Sequence, residues 1–345
     1  MKILVTGCYN PEYNRTMVLL KGLRALGVEL IEMPITGRLR DSRHEIKQAS
    51  LSVDFIFMPS FTHADVRGVK TLTAKPVIFD PLISKYLTKV FDYKQVSRFS
   101  PRAIKNFYKD KFPFHKADFL LADTYSHKDY FVRTFNLDEK KVGVVPVGVD
   151  SETFFPLKKR NNNNNDFVVG FYGGFIPLQG VSNILSAAEI LKGENLIFEL
   201  TGSGFEFEKS EVMIRKKRLD NVRLLGSAAY NMLPDRINSH SVCLGIFGET
   251  PKAQLVIPNK VYHYAACEKC IITKDTPAIR EVFTDKKDVI LTSSDPKSIA
   301  EAILYVKKEE KIRDEIAASA HKHITENYNH VEIGRKFMEA VSGFF

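Results

Sequence analysis

Cysteine is scarce in this 345-residue chain, with Cys8, Cys243, Cys267 and Cys270 as the whole complement. Four thiols do not make a disulfide framework for a chain of this length, so a small bridge-stapled secreted domain is excluded. Cys267 and Cys270 form a CxxC. A zinc site would want a second pair or nearby histidines, and a redox pair would open a helix after a strand. This pair falls in a loop that feeds the apolar run Cys270–Thr273. Chance occurrence is the favoured reading; His240 and His263 keep metal binding as the weaker alternative, and the expected metal set is empty. Long apolar runs are also missing: none reaches the roughly 18 residues of a membrane span. The opening MKILVTGCYN is too short and too early for a signal peptide, so a cytoplasmic location is expected.

What is present is ordinary for a globular chain, with 44% hydrophobic and 26% charged residues. The length suggests two domains of about 150–170 residues each. A net charge of +9 comes from 50 Lys and Arg against 41 Asp and Glu. The excess clusters at Lys85–Lys116, at Lys158–Arg160 and at Arg215–Arg218. In the first cluster, Tyr86, Phe91, Tyr93, Phe99, Phe107, Tyr108, Phe112 and Phe114 are interleaved with the bases. Such a mixture suits a membrane interface; a solvated helix face over an ordinary core explains it equally well. Nucleic-acid binding has the charge but no motif to support it.

Apolar strand-like runs alternate with helical patterns almost from end to end. Ile3–Thr6, Val28–Met33, Val53–Met58, Pro76–Phe79, Phe119–Ala122 and Val142–Pro146 read as strands, with a helix over Val18–Leu26 closed by Gly27. The series restarts after five consecutive asparagines, Asn161–Asn165, read as a surface linker. Val168–Tyr172, Ile197–Thr201, Val222–Leu225, Val242–Ile246, Cys270–Thr273 and Val289–Leu291 form the second set, with a helix over Val181–Leu191. Strands separated by helices imply βαβ units and parallel sheets. The expected fold is α/β with two doubly wound, Rossmann-like domains, 1–160 and 161–330. From Ile299 onward the chain is mostly helical, broken at Tyr328–His330 before a last helix over Val331–Val341.

Chemistry concentrates at strand ends. Gly173, Gly174 and Gly180, with Gln179, lie in the first βα turn of the second set, where amides and a helix N-terminus favour a phosphate. A tight turn without a ligand is the plain alternative. Gly202 and Gly204 close the strand Ile197–Thr201. The segment Val256–Val282 runs through Pro258, Asn259 and Lys260, a short helix over Val261–Ala266, a strand, a second turn and Glu281. Lys252 and Lys260 are the candidate phosphate cations, against the usual fate of lysine as a solvated surface group. In the first set, Gly7–Arg15 follows the first strand and carries Tyr13, Asn14 and Arg15. Asp80 ends another strand, where Asp before Pro is also a common turn pair. Asp123 or Thr124 is an N-cap candidate. His127 is a candidate acceptor contact, although a helix-surface position is favoured for it.

The Val256–Val282 segment closely resembles the donor-binding segment of family 4 nucleotide-sugar glycosyltransferases. The resemblance extends over nearly the whole chain and is sharpest from Gly173 to Glu281. It implies the GT-B architecture, two Rossmann-like domains facing a cleft, with the last helix, 331–345, returning to the N-terminal domain. It further implies transfer of a sugar from a nucleoside-diphosphate sugar to a glycan or lipid-linked acceptor, retention of anomeric configuration, and no metal or other cofactor. Lys260, Lys252 and the Gly173–Gly180 loop would hold the diphosphate, with Asn259, His263 and Glu281 orienting the nucleotide. Asp80 would face the sugar, and the Tyr13–Arg15 loop would lie between donor and acceptor. The chain departs from the pattern in two places. Phe175 and Gln179 stand near the family's loop Arg and Lys; Leu255 and His263 stand where the two-glutamate signature would fall. A histidine can still hydrogen-bond ribose hydroxyls. A catalytically inactive nucleotide-sugar or anionic-glycan binding protein is the alternative these losses leave open.

Overall fold

The computed structural model describes residues 1–157 and 167–344; the Lys158–Arg160 cluster and the asparagine run lie outside the described residues. The first sheet uses β1 (Lys2–Gly7), β2 (Glu29–Pro34), β3 (Phe55–Met58), β4 (Val77–Phe79), β5 (Phe119–Ala122) and β6 (Val142–Val144), in the order β2-β1-β3-β4-β5-β6. Every neighbouring pair is parallel. β3, β4 and β5 are buried at every position because helices cover both faces. The edge strand β2 exposes Glu29, Glu32 and Pro34 and half-buries Leu30, Ile31 and Met33. The covering helices are α1 (Asn14–Ala25), α2 (Arg43–Leu51), α3 (Val66–Lys70), α4 (Pro101–Lys116) and α5 (Tyr125–Phe135).

The second sheet runs β12-β11-β10-β7-β8-β9, again parallel throughout. Its strands are β7 (Phe167–Tyr172), β8 (Leu196–Thr201), β9 (Val222–Gly226), β10 (Val242–Leu244), β11 (Ile271–Lys274) and β12 (Ile290–Thr292). Its helices are α6 (Val181–Ile190), α7 (Phe207–Lys217), α8 (Leu233–Ser239), α9 (Asn259–Ala266), α10 (Pro277–Arg280), α11 (Pro296–Lys308) and α12 (Glu310–Asn327). The final helix is α13 (His330–Ser342). Several starts carry a cap followed by proline. Ser100, Thr276 and Asp295 accept amide hydrogens of the turns that begin at Pro101, Pro277 and Pro296, each worth about 1 kcal/mol.

Two compact units result: Met1–Gly148 with Tyr328–Phe345, and Val149–Asn327. The chain therefore changes unit at Gly148/Val149, earlier than the expected boundary near 160. Phe154 anchors the Val149–Leu157 segment in the second unit, fully buried against His263, and Leu157 N donates to Asn238 Oδ1 at 2.9 Å. Asn329 caps α13 after the break at Tyr328, and α13 lies on α1 with backbone touching backbone. A Cβ on Gly22 would fall 1.9 Å from His330 O, and one on Gly334 would fall 2.6 Å from Gly22 C. The core of the first unit thus has two layers, one beneath α1 and α13 and one on the opposite sheet face.

Candidate functional site

In the second sheet, β7 leads outward to β8 and β9, and the chain then returns to place β10 on the other side of β7. A crevice opens beyond the carboxyl ends of strands at such a reversal, where ligands of open α/β sheets bind. The loops after β7 and β10 meet there. Phe247 N donates to Gln179 O at 3.0 Å and Gly248 N to Leu178 O at 3.2 Å. Gly180 permits this approach: its φ is +65°, and a Cβ there would lie 2.4 Å from Phe247 C. Gly202 and Gly204 serve a related purpose. A Cβ on either would strike the backbone of Gly173 or Phe175, and Phe175 N donates to Ser203 O at 2.8 Å.

Lys260 rises into this junction from the first turn of α9. Its Nζ donates to Gln179 Oε1 at 2.5 Å and to Gly245 O at 3.4 Å, and it lies 3.6 Å from the Phe171 ring centroid. Gly173 leaves room for it, since a Cβ there would be 2.9 Å from Nζ. The residue is 3% exposed, and among the described residues no carboxylate pairs with the amine. Burial alone holds its pKa well below the ordinary 10.5. Lys252 is buried too, in a 3-10 turn over Pro251–Gln254. Neither lysine is the solvated surface group that sequence statistics favour. Pro258 is the N-cap of α9 and Asn259 its first residue, both half-buried beside the junction. Glu281 caps the C-terminal end of α10, where Arg280 is paired with Asp275 at 2.6 Å.

His263 is placed differently from the expectation of an open ribose contact. It is 1% exposed, stacks on Phe154 at 3.7 Å, and shares a 2.6 Å hydrogen bond between Nδ1 and Tyr172 Oη. Burial pulls its pKa down to about 3, so the ring is neutral. Phe175, at the expected place of a loop arginine, turns into the core against Phe171 and Phe207. Cys267 ends α9, Cys270 precedes β11, and burial pushes both thiols up to about 12. Among the described residues no group of three His, Cys, Asp or Glu could hold a metal ion.

The first unit gathers a second polar cluster at the carboxyl ends of β1, β4, β5 and β6. Asn14 and Arg15 are not in a loop: they form the first turn of α1, with Tyr13 as N-cap. Arg15 is fully buried. Its Nε meets Asp80 Oδ2 at 2.6 Å, and its Nη1 donates to Val145 O at 2.8 Å and Pro146 O at 3.0 Å. Among the described residues Asp80 Oδ1 has no hydrogen-bond partner. Burial raises the Asp80 pKa, and the Arg15 guanidinium opposes the shift. His127 is buried rather than on the helix surface. Its Nδ1 shares a 2.6 Å hydrogen bond with Asp123 Oδ1, while Thr124 supplies the N-cap by accepting His127 N. Tyr13 packs edge-on against Phe61 at 4.9 Å, and burial pushes its hydroxyl up to about 12.

Residues 182–339 match the model of a family described as glycosyl transferase-like. Anabaena Alr3699/HepE, solved with UDP and glucose, superposes with a TM-score of 0.76 over 99% of each chain at 14% identity. Sucrose-phosphate synthase from Thermosynechococcus elongatus gives 0.76 at 13% identity, over 99% of this chain and 98% of that one. A TarM variant of S. aureus, solved with Fondaparinux, alpha-GlcNAc-glycerol and UDP, gives 0.65 at 14% identity, over 86% of this chain and 57% of its own. No curated protein matches the sequence. The chain has the fold of the GT-B glycosyltransferases, and its glycosyl transferase-like match is confined to residues 182–339.

Sequence reasoning missed Phe171, Tyr172 and Phe154, whose rings seat Lys260 and His263. It also missed Asp123 as the partner of His127. The four-residue spacing of Asp123 and His127 was the available signal; the aromatic partners of Lys260 and His263 lie on other elements and left none.

Proposed function

We propose that the protein moves a sugar from a nucleoside-diphosphate sugar to a glycan or lipid-linked acceptor in cell-surface polysaccharide synthesis, working in the cytoplasm. The anomeric configuration would be retained, and the chain's own cations would stabilise the leaving diphosphate without a metal. One observation carries this reading: the Lys260 amine is buried beyond the ends of β7 and β10 with no counter-charge among the described residues. A diphosphate against it would complete the pair, favour the ammonium form and neutralise the charge that develops on departure. The N-terminal ends of α6 and α9 favour the same anion. Lys252 is the second cation of this reading, and Gly173, Gly174, Asn259 and Glu281 are its remaining donor contacts. On the first unit, Asp80, Tyr13, Asn14, Arg15 and His127 are the proposed sugar or acceptor contacts, and among the described residues Asp80 Oδ1 has no hydrogen-bond partner. Support for the donor class comes from HepE, solved with UDP and with UDP-glucose.

The burial of His263 in the Phe154–Tyr172 stack favours a second reading, a nucleotide-sugar binding protein without turnover. A thermal-shift screen with UDP, GDP, ADP and their sugar conjugates, without added metal, tests the donor claim, because a ligand of the folded state raises its apparent stability. A shift with one nucleotide class supports it; no shift with any overturns it. Release of nucleoside diphosphate from the stabilising donor, when acceptor glycans are supplied, separates transferase from binding protein.

A further inference from the structure

The helix α4 presents an outward face without a carboxylate. Its sole acid, Asp110, is buried, accepting hydrogen bonds from Ser84 Oγ at 2.7 Å and from the Lys85 and Tyr86 amides. Asn106, Pro113 and Phe114 share that inner side. Outside, Ile104, Tyr108 and Phe112 recur every four residues and therefore form one stripe. They are 58%, 43% and 59% exposed, and the last two rings stack at 5.1 Å. Arg102, Lys105, Lys109 and Lys116, spaced by three, four and seven residues, form an exposed basic stripe along one side. Just before the helix, Phe99 is 83% exposed beneath the Arg98 guanidinium, 4.7 Å from its ring centre. At the far end a concavity of about 290 Å³ is lined by Arg67, Phe112, His115 and Lys116.

Scattered apolar side chains on a surface need no explanation, but a continuous row flanked by charge of one sign does. Ordinary helix surfaces intersperse both signs. We propose that this face of α4 docks the protein onto an anionic lipid bilayer. Ile104, Tyr108, Phe112 and Phe99 would sink to the headgroup–acyl boundary. Arg102, Lys105 and Lys109 would meet lipid phosphates, and the concavity lined by Arg67, His115 and Lys116 would receive one headgroup. Charge complementarity selects the anionic surface. The aliphatic Ile104 within the row favours a bilayer over stacked nucleic-acid bases. Neither the apolar nor the electrostatic part suffices alone, and stable attachment needs both. The surface lies on the first unit and is independent of how the nucleotide is held.

Flotation with vesicles of phosphatidylcholine alone and of phosphatidylcholine with phosphatidylglycerol tests the proposal. Wild-type protein is expected to float with the anionic vesicles only and to be released by salt. Each basic residue contributes roughly fivefold to partitioning, so the Arg102→Glu, Lys105→Glu, Lys109→Glu triple variant should lose about a hundredfold or more. Ile104→Ser with Phe112→Ser should also lower partitioning while keeping the salt dependence. Circular dichroism and the nucleotide-induced thermal shift should be unchanged in both variants, which separates lost docking from lost folding. Equal binding to both vesicle types, no binding to either, or wild-type binding by the triple variant would overturn the proposal. Salt-sensitive retention on single-stranded DNA without vesicle binding would overturn it in favour of a nucleic-acid surface.

Discussion

At the carboxyl edge of the first sheet, Arg15 meets Asp80 and His127 meets Asp123, each pair at 2.6 Å and out of water. At the corresponding edge of the second sheet, Lys260 is also buried, and among the described residues it meets an amide oxygen, a backbone carbonyl and a ring face. A buried charge persists when paired; an unpaired one loses its proton or waits for a partner. The first edge is electrostatically complete within the protein, apart from the open Oδ1 of Asp80. At the second, no anion among the described residues pairs with Lys260. Under the proposed function, the difference is the reason for placing the nucleotide diphosphate on the second unit.

Breaking the complete edge should have the largest effect. Arg15→Met leaves Asp80 buried without its cation, and urea denaturation should show a loss of about 3–5 kcal/mol. Adding Asp80→Asn to that variant should return part of the loss. Asp123→Asn weakens the hold on His127 and should cost about 1.5–3 kcal/mol in the same assay.

Converting the incomplete edge into the complete kind sharpens the contrast. Gln179→Glu places a carboxylate against Lys260 Nζ. It should raise the melting temperature of the ligand-free protein and weaken donor binding by about tenfold or more, because the incoming diphosphate meets a like charge. Titration calorimetry and thermal melting read the two effects with opposite signs.

The smallest effect is a pH slope. The native Lys260 pKa lies below the unfolded value near 10.5. Between those two values the unfolded chain binds a proton that the native protein does not, so stability should rise with pH through that window. The slope is at most about 1.4 kcal/mol per pH unit. Comparing wild type with Lys260→Met across that range isolates it, and the variant should lack this component.

Much of this contrast was hidden in the sequence. The fold was legible because buried parallel strands read as uninterrupted apolar runs. Phe119–Ala122 was read with the observed limits, and most other strands came within a residue or two, slipping where a polar or glycine exit ends the ladder. The start of α1 was read four residues late because Asn14 and Arg15 look like loop residues. Arg15 is helical and buried because of Asp80, 65 positions away. Lys260 was singled out from its turn, but its burial depends on Phe171, Gln179 and Gly245, which the fold alone brings together. His263 was read as an open polar contact because no local pattern announces the Phe154 ring that covers it.

Lys260 is the proposed contact of the donor diphosphate. Titration calorimetry of wild type and Lys260→Met, with the nucleotide sugar that gives the thermal shift, tests it in two buffers of different ionisation enthalpy. In wild type the bound anion should favour the ammonium form, seen as any difference in binding heat between the two buffers, and the methionine variant should lose at least about two orders of magnitude in affinity. A variant that binds as tightly as wild type, with no proton uptake by either, would contradict it.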